Sequence, residues 1–453
     1  MVYLGDSYQL EKWFNHLVKE RISPEIEINL VKDFSIHWVL SHPKYEKKIR
    51  IFLNNKLYKI GYQKDLEFAL IKIKNNFFRS EFEILPAPGS KKVNGNLLNN
   101  DDEFFTINYD IFGLAFWMLN RCEEINPDKR LLDKHGRFKS VYSHSIINDY
   151  HLRPIVDEWF LFLSEVIKFN FPKLKIKKTI FKIFPTIDID NPRKYSLLFK
   201  KRILLNYFRS FFQDISFSNL RYLFSFIKNN NNNDPYDNFD WILKENKNFG
   251  LKADFFFMVN HFNWRYDTGY DIENSQIKDL IKKIHLYGNS IYLHPSYNTI
   301  NKHSSLLFQI KKLKSLCKNL SISQQKWSAR MHYLRFIFPQ TAYQYIEAEI
   351  KYDSSLYFTD APGFRCGTCK EYNFFDPINN KMLDLIERPL IYMDTSYLPT
   401  NGENKEDLSE CIEKINYLKS QCRKVGGNFT FLWHNCQLQD SYKKDLYINT
   451  IEN

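Results

Sequence analysis

The stretch of sequence that decides the expected fold is residues 180–190, IFKIFPTIDID. It opens with a short apolar run typical of a buried strand, and Asp188 and Asp190 follow at the end of that run. In α/β folds, functional groups lie just beyond the carboxyl ends of parallel strands. Because side chains alternate along an extended chain, both carboxylates should face the same side. We therefore expect Asp188 and Asp190 to belong to a functional site.

Strand-like and helix-like segments alternate after this stretch, which predicts an α/β fold with a parallel sheet or barrel. The predicted strands are 253–259, 290–293, 390–393 and 429–433, and the predicted helices are 275–287, 305–316, 339–351 and 408–425. Residues 1–175, with predicted helices at 110–124 and 154–169, are expected to form a smaller α+β domain. The α/β domain then occupies residues 176–453, with a helical insertion at about 195–245.

Composition excludes some classes of protein. The chain has 64 Lys and Arg against 52 Asp and Glu, a formal charge of +12, but these basic residues are spread along the chain. A nucleic-acid-binding protein would gather them on one face or in a known module, so that class is not expected; contact with a membrane surface stays open. No apolar run predicts a transmembrane segment or a signal peptide. Seven Cys without a disulfide-like spacing favour a cytoplasmic protein with reduced thiols.

Polar residues follow several of the predicted strands. His294 ends the strand at 290–293 and His434 ends the one at 429–433, as Asp188 and Asp190 end the first. Parallel strands bring their carboxyl ends to one edge, whatever their separation in sequence. Carboxylate and imidazole together are the ligands of a hydrolytic divalent metal ion, which keeps one position open for water. The pattern therefore predicts a metal site.

These motifs resemble those of a known family. Residues 186–190 (TIDID), 294–296 (HPS), Arg330 and residues 432–435 (LWHN) are similar, in order and in letters, to the motifs of polysaccharide deacetylases of carbohydrate esterase family 4. The resemblance covers about residues 180–440 and implies a distorted (β/α) barrel. The phrases at 119–124, 136–138 and 153–157 resemble the N-terminal module of a bacterial subgroup, in which an uncharacterised domain precedes the barrel.

The resemblance implies a division of catalytic roles. Asp188 matches the general base that deprotonates water, and Arg330 matches the guanidinium that keeps this base ionised. His434 matches the general acid that protonates the leaving amine, and Asp394 is similar to the carboxylate that orients this histidine. Amide hydrolysis needs such an acid and base held at different pKa values.

The resemblance also implies metal ligands, with one departure. Asp190 matches the carboxylate ligand and His294 the first imidazole ligand. The family usually has a second histidine four residues after the first, where this chain has Asn298. We expect His332 to be the third ligand, with Asn298 and His303 as alternatives.

Two further residues are candidates for binding substrate, each with a structural alternative. Arg365 lies in a glycine-flanked loop, where it would contact a sugar or form a salt bridge. Trp433 beside the predicted acid would stack on a sugar ring or fill the core. Asp353 would cap a turn or support the guanidinium beside the base, and Glu123 and Glu124 are interpreted as structural.

The sequence thus predicts a metal-dependent hydrolase that removes N- or O-acetyl groups from a sugar of a surface polysaccharide or its precursor. Its cofactor would be one divalent ion, zinc first, with cobalt or nickel as alternatives. Its partner would be an acetylated carbohydrate. The alternative is a catalytically silent carbohydrate-binding or scaffold protein, which Asn298 in place of a ligand favours.

Overall fold

A computed structural model of the chain describes residues 7–32, 35–73, 84–91, 97–194, 234–259, 263, 265–267, 270–397 and 405–453. Of the predicted insertion at about 195–245, residues 195–233 lie outside this described part. Within it, no helix has the length and apolar character needed to cross a bilayer.

The N-terminal part contains both helices and strands. Its helices are α1 (Tyr8–Arg21), α2 (Ile111–Leu119), α3 (His144–Ile147) and α4 (Ile155–Asn170). Its strands are β1 (Glu27–Lys32), β2 (Ile36–Ser41), β3 (Lys48–Phe52), β4 (Phe68–Lys72), β5 (Ile84–Pro88), β6 (Leu98–Asn100) and β7 (Phe104–Ile107). Strands β1, β2, β3, β7 and β6 form a five-stranded sheet in that order, and β4 pairs with β5. The domain boundary at residue 175 stays a prediction.

The residues at the two ends of helix α2 mark where this helix begins and ends. Asp110 caps its start, because a carboxylate oxygen accepts a hydrogen bond from the backbone N–H of Gly113 at 2.7 Å. All of its residues are buried, as an apolar sequence on every face requires. It ends at Leu119, and Arg121 has a left-handed conformation with φ of 47°. The prediction of a helix to residue 124 is therefore too long.

The C-terminal part alternates strands with helices. Its strands are β8 (Lys182–Ile189), β9 (Asp254–Phe257), β10 (Ser290–Leu293), β11 (Ser328–Ala329), β12 (Tyr352–Asp353), β13 (Tyr372–Asp376), β14 (Lys381–Glu387), β15 (Tyr392–Met393) and β16 (Asn428–His434). Its helices are α5 (Phe239–Asn248), α6 (Ser275–Leu286), α7 (His303–Asn319), α8 (Gln340–Glu347), α9 (Asp394–Tyr397), α10 (Lys405–Lys424) and α11 (Ser441–Ile451).

These strands form one nine-stranded sheet in the order β13-β14-β12-β11-β10-β9-β8-β16-β15. The pairing of β13 with β14 is antiparallel, and the other pairings are parallel. The prediction of an α/β fold with a parallel sheet is confirmed. The order of the described strands begins at β13 and ends at β15, so their pairing does not show the closed barrel that the resemblance implied.

The register of the parallel strands brings the predicted polar residues to one edge. His434 pairs with Asp188 across β16 and β8. Leu293 of β10, which precedes His294, pairs with Ala329 of β11. Strand β8 is buried along its last five residues, so it has neighbours on both faces and its carboxyl end is fixed in position. The sheet therefore supplies a rigid base for the site.

The two parts of the chain share one continuous hydrophobic core. The indole N–H of Trp13 in α1 donates to the backbone oxygen of Asn373 in β13 at 2.8 Å. Arg21, at the end of α1, forms a buried ion pair with Asp157 of α4. Asp157 also accepts hydrogen bonds from Thr368, at 2.8 and 2.9 Å, so one carboxylate joins three segments.

Replacing Asp157 with Asn should lower the free energy of unfolding by about 3–5 kcal/mol, because Arg21 would keep a buried charge without its partner. Urea denaturation measures this difference. The matched control is Asp128→Asn, which removes a carboxylate from the exposed pair with Arg130 and should leave the unfolding midpoint nearly unchanged. Equal midpoints for the two variants would contradict the expectation.

Candidate active site

A cleft of about 430 Å³ opens at the carboxyl edge of the nine-stranded sheet. Residues from strand ends and from the loops that follow them line most of it, and two residues come from the N-terminal part. The lining residues are His135, Arg137, Asp188, Asp190, Asn191, Tyr266, His294, Met331, His332, Tyr333, Leu334, Thr359, Met393, Thr395, Leu432 and His434. The edge of the sheet at which function was predicted is thus a concave surface rich in ionisable groups.

Three of these side chains could hold a metal ion. One potential ligand atom from each of Asp190, His294 and His332 lies within 4.8 Å of the other two. The Nε2 atom of His294 is 3.2 Å from Oδ1 of Asp190, and Nε2 of His332 is 3.7 Å from Oδ2. One carboxylate and two imidazoles are a common ligand set for a catalytic zinc ion, which leaves a position open for water or substrate.

The hydrogen bonds of the two imidazoles direct their lone pairs to Asp190. Nδ1 of His294 is 2.6 Å from the backbone oxygen of Arg330, and Nδ1 of His332 is 3.1 Å from a carboxylate oxygen of Asp267. Each Nδ1 therefore carries the proton, and in the neutral ring Nε2 has the free lone pair. Oδ1 of Asp190 is buried and accepts no hydrogen bond. Lone pairs this close require a proton or a cation between them, so the residues fit a divalent metal ion.

Electrostatics link these groups even without a metal ion. Burial alone would raise the pKa of Asp190, but the charge of His332 and the close approach of the His294 and His332 rings outweigh burial and hold the pKa well below its ordinary value. Burial likewise disfavours a charged His332, yet Asp190 and then Asp267 raise its pKa to about 9. The carboxylate is therefore ionised at neutral pH and attracts positive charge to this point.

Asp188 is held by the guanidinium of Arg330, which directly follows β11, three strands away from β8 in the sheet. Nη1 of Arg330 donates to Oδ1 of Asp188 at 2.8 Å, and both side chains are buried. Arg330 is itself fixed by Ser354, whose backbone oxygen and hydroxyl accept from Nε and Nη2 at 2.8 and 2.9 Å. Asp353 accepts from the N–H and hydroxyl of Ser355, so it caps this turn and does not bind the guanidinium. One oxygen of Asp188 thus stays available to the cleft.

His434 is held by a second carboxylate on the other side of the cleft. Its Nδ1 is 2.9 Å from Oδ1 of Asp394, and its backbone N–H donates to Oδ2 at 2.7 Å. Burial would lower the pKa of His434, but Asp394 raises it to about 10. Its Nε2 lies 3.8 Å from Asp190. A protonated imidazole is therefore directed at the metal-binding residues.

The alternatives for the third ligand lie elsewhere. Asn298 accepts a hydrogen bond from Asn263 at 3.2 Å, and His303 pairs with Glu347 of α8 at 2.6 Å. The partner of His332, Asp267, was not predicted from the sequence. It also accepts from the backbone N–H of Tyr297 at 2.7 Å, and its only sequence signal is a carboxylate in an irregular segment.

The two candidates for sugar contact are not in the cleft. Trp433 is fully buried, and its ring packs against Tyr392 and Tyr447, so it fills the core. Arg365 is buried in an ion pair with Glu124, which also binds Arg121. Neither side chain can reach a sugar in this arrangement, because each is committed to partners inside the protein. The structural role expected for Glu124 agrees with this network.

A strained turn follows His332. Tyr333 and Leu334 both have left-handed backbone conformations, with φ of 60° and 54°. Neither is Gly or Asn, so this conformation costs on the order of 1–3 kcal/mol per residue. Strain of this size persists only where surrounding contacts hold the backbone, and it occurs often at functional sites.

The comparisons with known proteins identify similarities but no activity. Residues 15–172 match a family of unknown function, DUF7033, which covers about a third of the chain. A putative polysaccharide deacetylase from Mycobacterium smegmatis is similar over 61% of this chain and 84% of its own, with 13% identity and a TM-score of 0.39. An allantoinase is similar over 60% and 82%, with 13% identity and a TM-score of 0.35. No curated protein matches. Scores this low do not establish a fold or an activity.

In the metal-free protein, Asp190→Asn should lower the pKa of His332 well below 9. Burial lowers this pKa, and the variant lacks the negative charge of Asp190 that raises it. Since the folded-state pKa lies above the ordinary 6.5, this pair stabilises the fold fully below pH 6.5 and loses its effect as the pH rises through about 9. NMR titration of the histidine rings with a chelator present measures the pKa. Asp271→Asn, an exposed carboxylate outside the cleft, should leave it unchanged.

Proposed function

We propose that the chain is a metal-dependent hydrolase that removes acetyl groups from a sugar. The observation that carries this proposal is the arrangement of one cleft. A carboxylate held by arginine and an imidazole held by a carboxylate both border a cluster of one Asp and two His. Hydrolysis of an amide or ester needs a base, an acid and a positive centre together.

Asp190, His294 and His332 would hold the ion, with zinc the first candidate and cobalt or nickel the others. When bound, such an ion lowers the pKa of water and polarises a carbonyl oxygen. The ligand set favours this family of ions because imidazole suits zinc, cobalt and nickel better than magnesium or calcium.

Asp188 acts as the general base. Its free oxygen takes a proton from water as the water oxygen bonds to the carbonyl carbon of the acetyl group. The ion pair with Arg330 fixes Oδ1 of Asp188 and places a positive charge beside the proposed base. The Nε2 of His294 is 3.8 Å from Asp188, so the base lies beside the predicted ligands.

His434 acts as the general acid. As the carbon–nitrogen bond of the acetamido group breaks, Nε2–H gives its proton to the leaving nitrogen, and acetate and a free amine result. Asp394 makes this possible by fixing Nδ1–H and by stabilising the imidazolium. For an acetyl ester, the same proton would go to the leaving oxygen.

A carbohydrate substrate is supported by the walls of the cleft. Tyr266 and Tyr333 present aromatic rings there, which suit the apolar faces of a sugar. Met393 and Leu432 form an apolar surface that suits an acetyl methyl group. The main argument for a catalytically silent protein was that Asn298 stands where the family has a second histidine ligand. His332 offers a third potential ligand atom beside Asp190 and His294, so this argument is weaker.

Metal analysis of the purified protein should find about one zinc, cobalt or nickel ion per chain. Asp190→Ala, His294→Ala and His332→Ala should each lose most of it, since each removes one of three ligands. The matched control is His303→Ala, whose side chain pairs with Glu347 instead. A wild-type protein without metal, or a loss in the control equal to that in the three variants, would reject the metal site.

Wild-type protein with metal should release acetate from at least one member of a panel of N- and O-acetylated oligosaccharides. Asp188→Asn and His434→Ala should lower kcat by about 10²–10⁴-fold while keeping the metal, because each removes one proton transfer. Asp271→Asn should be as active as wild type. If the metal is bound but no substrate is hydrolysed, the silent carbohydrate-binding alternative is favoured.

A further inference from the structure

Residues 133–137 of the N-terminal part hold the strained turn that follows His332. Nη1 of Arg137 donates to the backbone oxygen of Tyr333 at 3.0 Å. From the opposite direction, Nε of Arg335 donates to the backbone oxygen of His135 at 2.8 Å. The rings of His135 and Tyr333 lie 4.7 Å apart. The turn at 332–335 is therefore bonded on both sides to a loop about 200 residues earlier in the chain.

This loop, residues 133–137, is itself well fixed. The carboxylate of Asp133 accepts from Nε of Arg137 at 2.7 Å and from the backbone N–H of His135 at 2.8 Å. The backbone N–H of Asp133 donates to the oxygen of Arg137 at 2.8 Å, and Gly136 supplies the left-handed residue that this tight turn needs. The guanidinium of Arg137 is thus oriented before it meets Tyr333.

His135 links the same loop to another wall of the cleft. Its Nδ1 is 2.9 Å from the hydroxyl of Tyr297, whose backbone oxygen accepts from Nη1 of Arg335 at 2.6 Å. The backbone N–H of Tyr297 donates to Asp267, the partner of His332. The loop therefore contacts both the turn that carries His332 and the segment that orients its ring.

We propose that the loop at 133–137 is a positioning element for His332, so that the region matched by the family of unknown function completes the metal site. Arg137 is its central residue, because its bond fixes the peptide plane after Tyr333 in a conformation that the residue does not favour on its own. Without that bond, the backbone relaxes and Nε2 of His332 leaves its position beside Asp190. This inference rests on the proposed function, since it requires the metal ion.

The test is the affinity for Co²⁺ and Zn²⁺, measured by competition with a chelator, together with the absorption spectrum of the Co²⁺ protein. Arg137→Ala should weaken binding by about 10–100-fold, as loss of a group that orients a ligand does, and should change the Co²⁺ spectrum. Lys134→Ala is the matched control: it removes a positive charge from the same loop, at an exposed residue, and should change neither.

A rescue experiment separates positioning from general stability. Asn adopts the left-handed conformation more readily than Tyr does. In the double variant Arg137→Ala with Tyr333→Asn, the turn needs less support, so most of the lost affinity should return. Thermal melting with chelator present shows whether each variant folds. Arg137→Lys replaces Arg137→Ala if the latter does not fold, and the same loss of affinity is expected.

The outcomes distinguish this inference from the proposed function. If the wild type binds no metal, the proposed function fails and the inference fails with it. If Asp190→Ala abolishes binding but Arg137→Ala binds like wild type, only the inference is wrong. Three other outcomes would also overturn the inference: an equal loss of metal affinity in Arg137→Ala and Lys134→Ala, no recovery of affinity with Tyr333→Asn, or unfolding of both Arg137 variants. The first would mean that Arg137 acts only through its charge, and the other two that it acts through general stability.

Discussion

The site depends on one electrostatic constraint, which is the close approach of the partly buried Asp190 carboxylate to two imidazoles. An ionised carboxylate in a protein interior must have compensating positive charge nearby. Without a metal ion, His332 supplies this charge, because Asp190 and Asp267 raise its pKa to about 9, and its ring is fixed through Nδ1 by Asp267. Separating these groups would leave the carboxylate charge uncompensated, and their three potential ligand atoms lie within 4.8 Å of one another. The remaining polar groups of the cleft are arranged around this point.

The proposed acid and the proposed base each have a charged partner of their own. Asp188 and His434 are register neighbours on β8 and β16, and the charge of Asp188 is one of the smaller causes that raise the pKa of His434. Arg330 takes one oxygen of Asp188, and Asp394 takes Nδ1 of His434. Asp394 thus raises the pKa of His434 to about 10, as the role of a general acid needs, while Arg330 fixes Asp188 in place.

The sequence predicted the site residues that lie at the ends of parallel strands, but it did not predict those that lie in irregular segments. Asp190, His294 and His434 could be grouped because parallel strands bring their carboxyl ends together, and the structure places all three at one cleft. Asp267 could not be found, since an irregular segment gives no periodicity from which to infer a direction. For Trp433 the sequence left two alternatives, a sugar contact or the core, and the structure places its side chain in the core: β16 pairs with β8 on one side and β15 on the other, and Trp433 is fully buried.

The N-terminal part could not be assigned a role from its own sequence, because its residues at the cleft also lie in a loop. The bonds of Arg137 and His135 within their own loop do not indicate a role at the cleft; that role comes from a turn about 200 residues later, whose left-handed conformation is visible only in three dimensions. A turn that Gly would form at no cost is built here from Tyr and Leu, and the contacts of the loop offset that strain. The strained turn and the loop that binds it lie in different parts of the chain. The cleft therefore belongs to both parts.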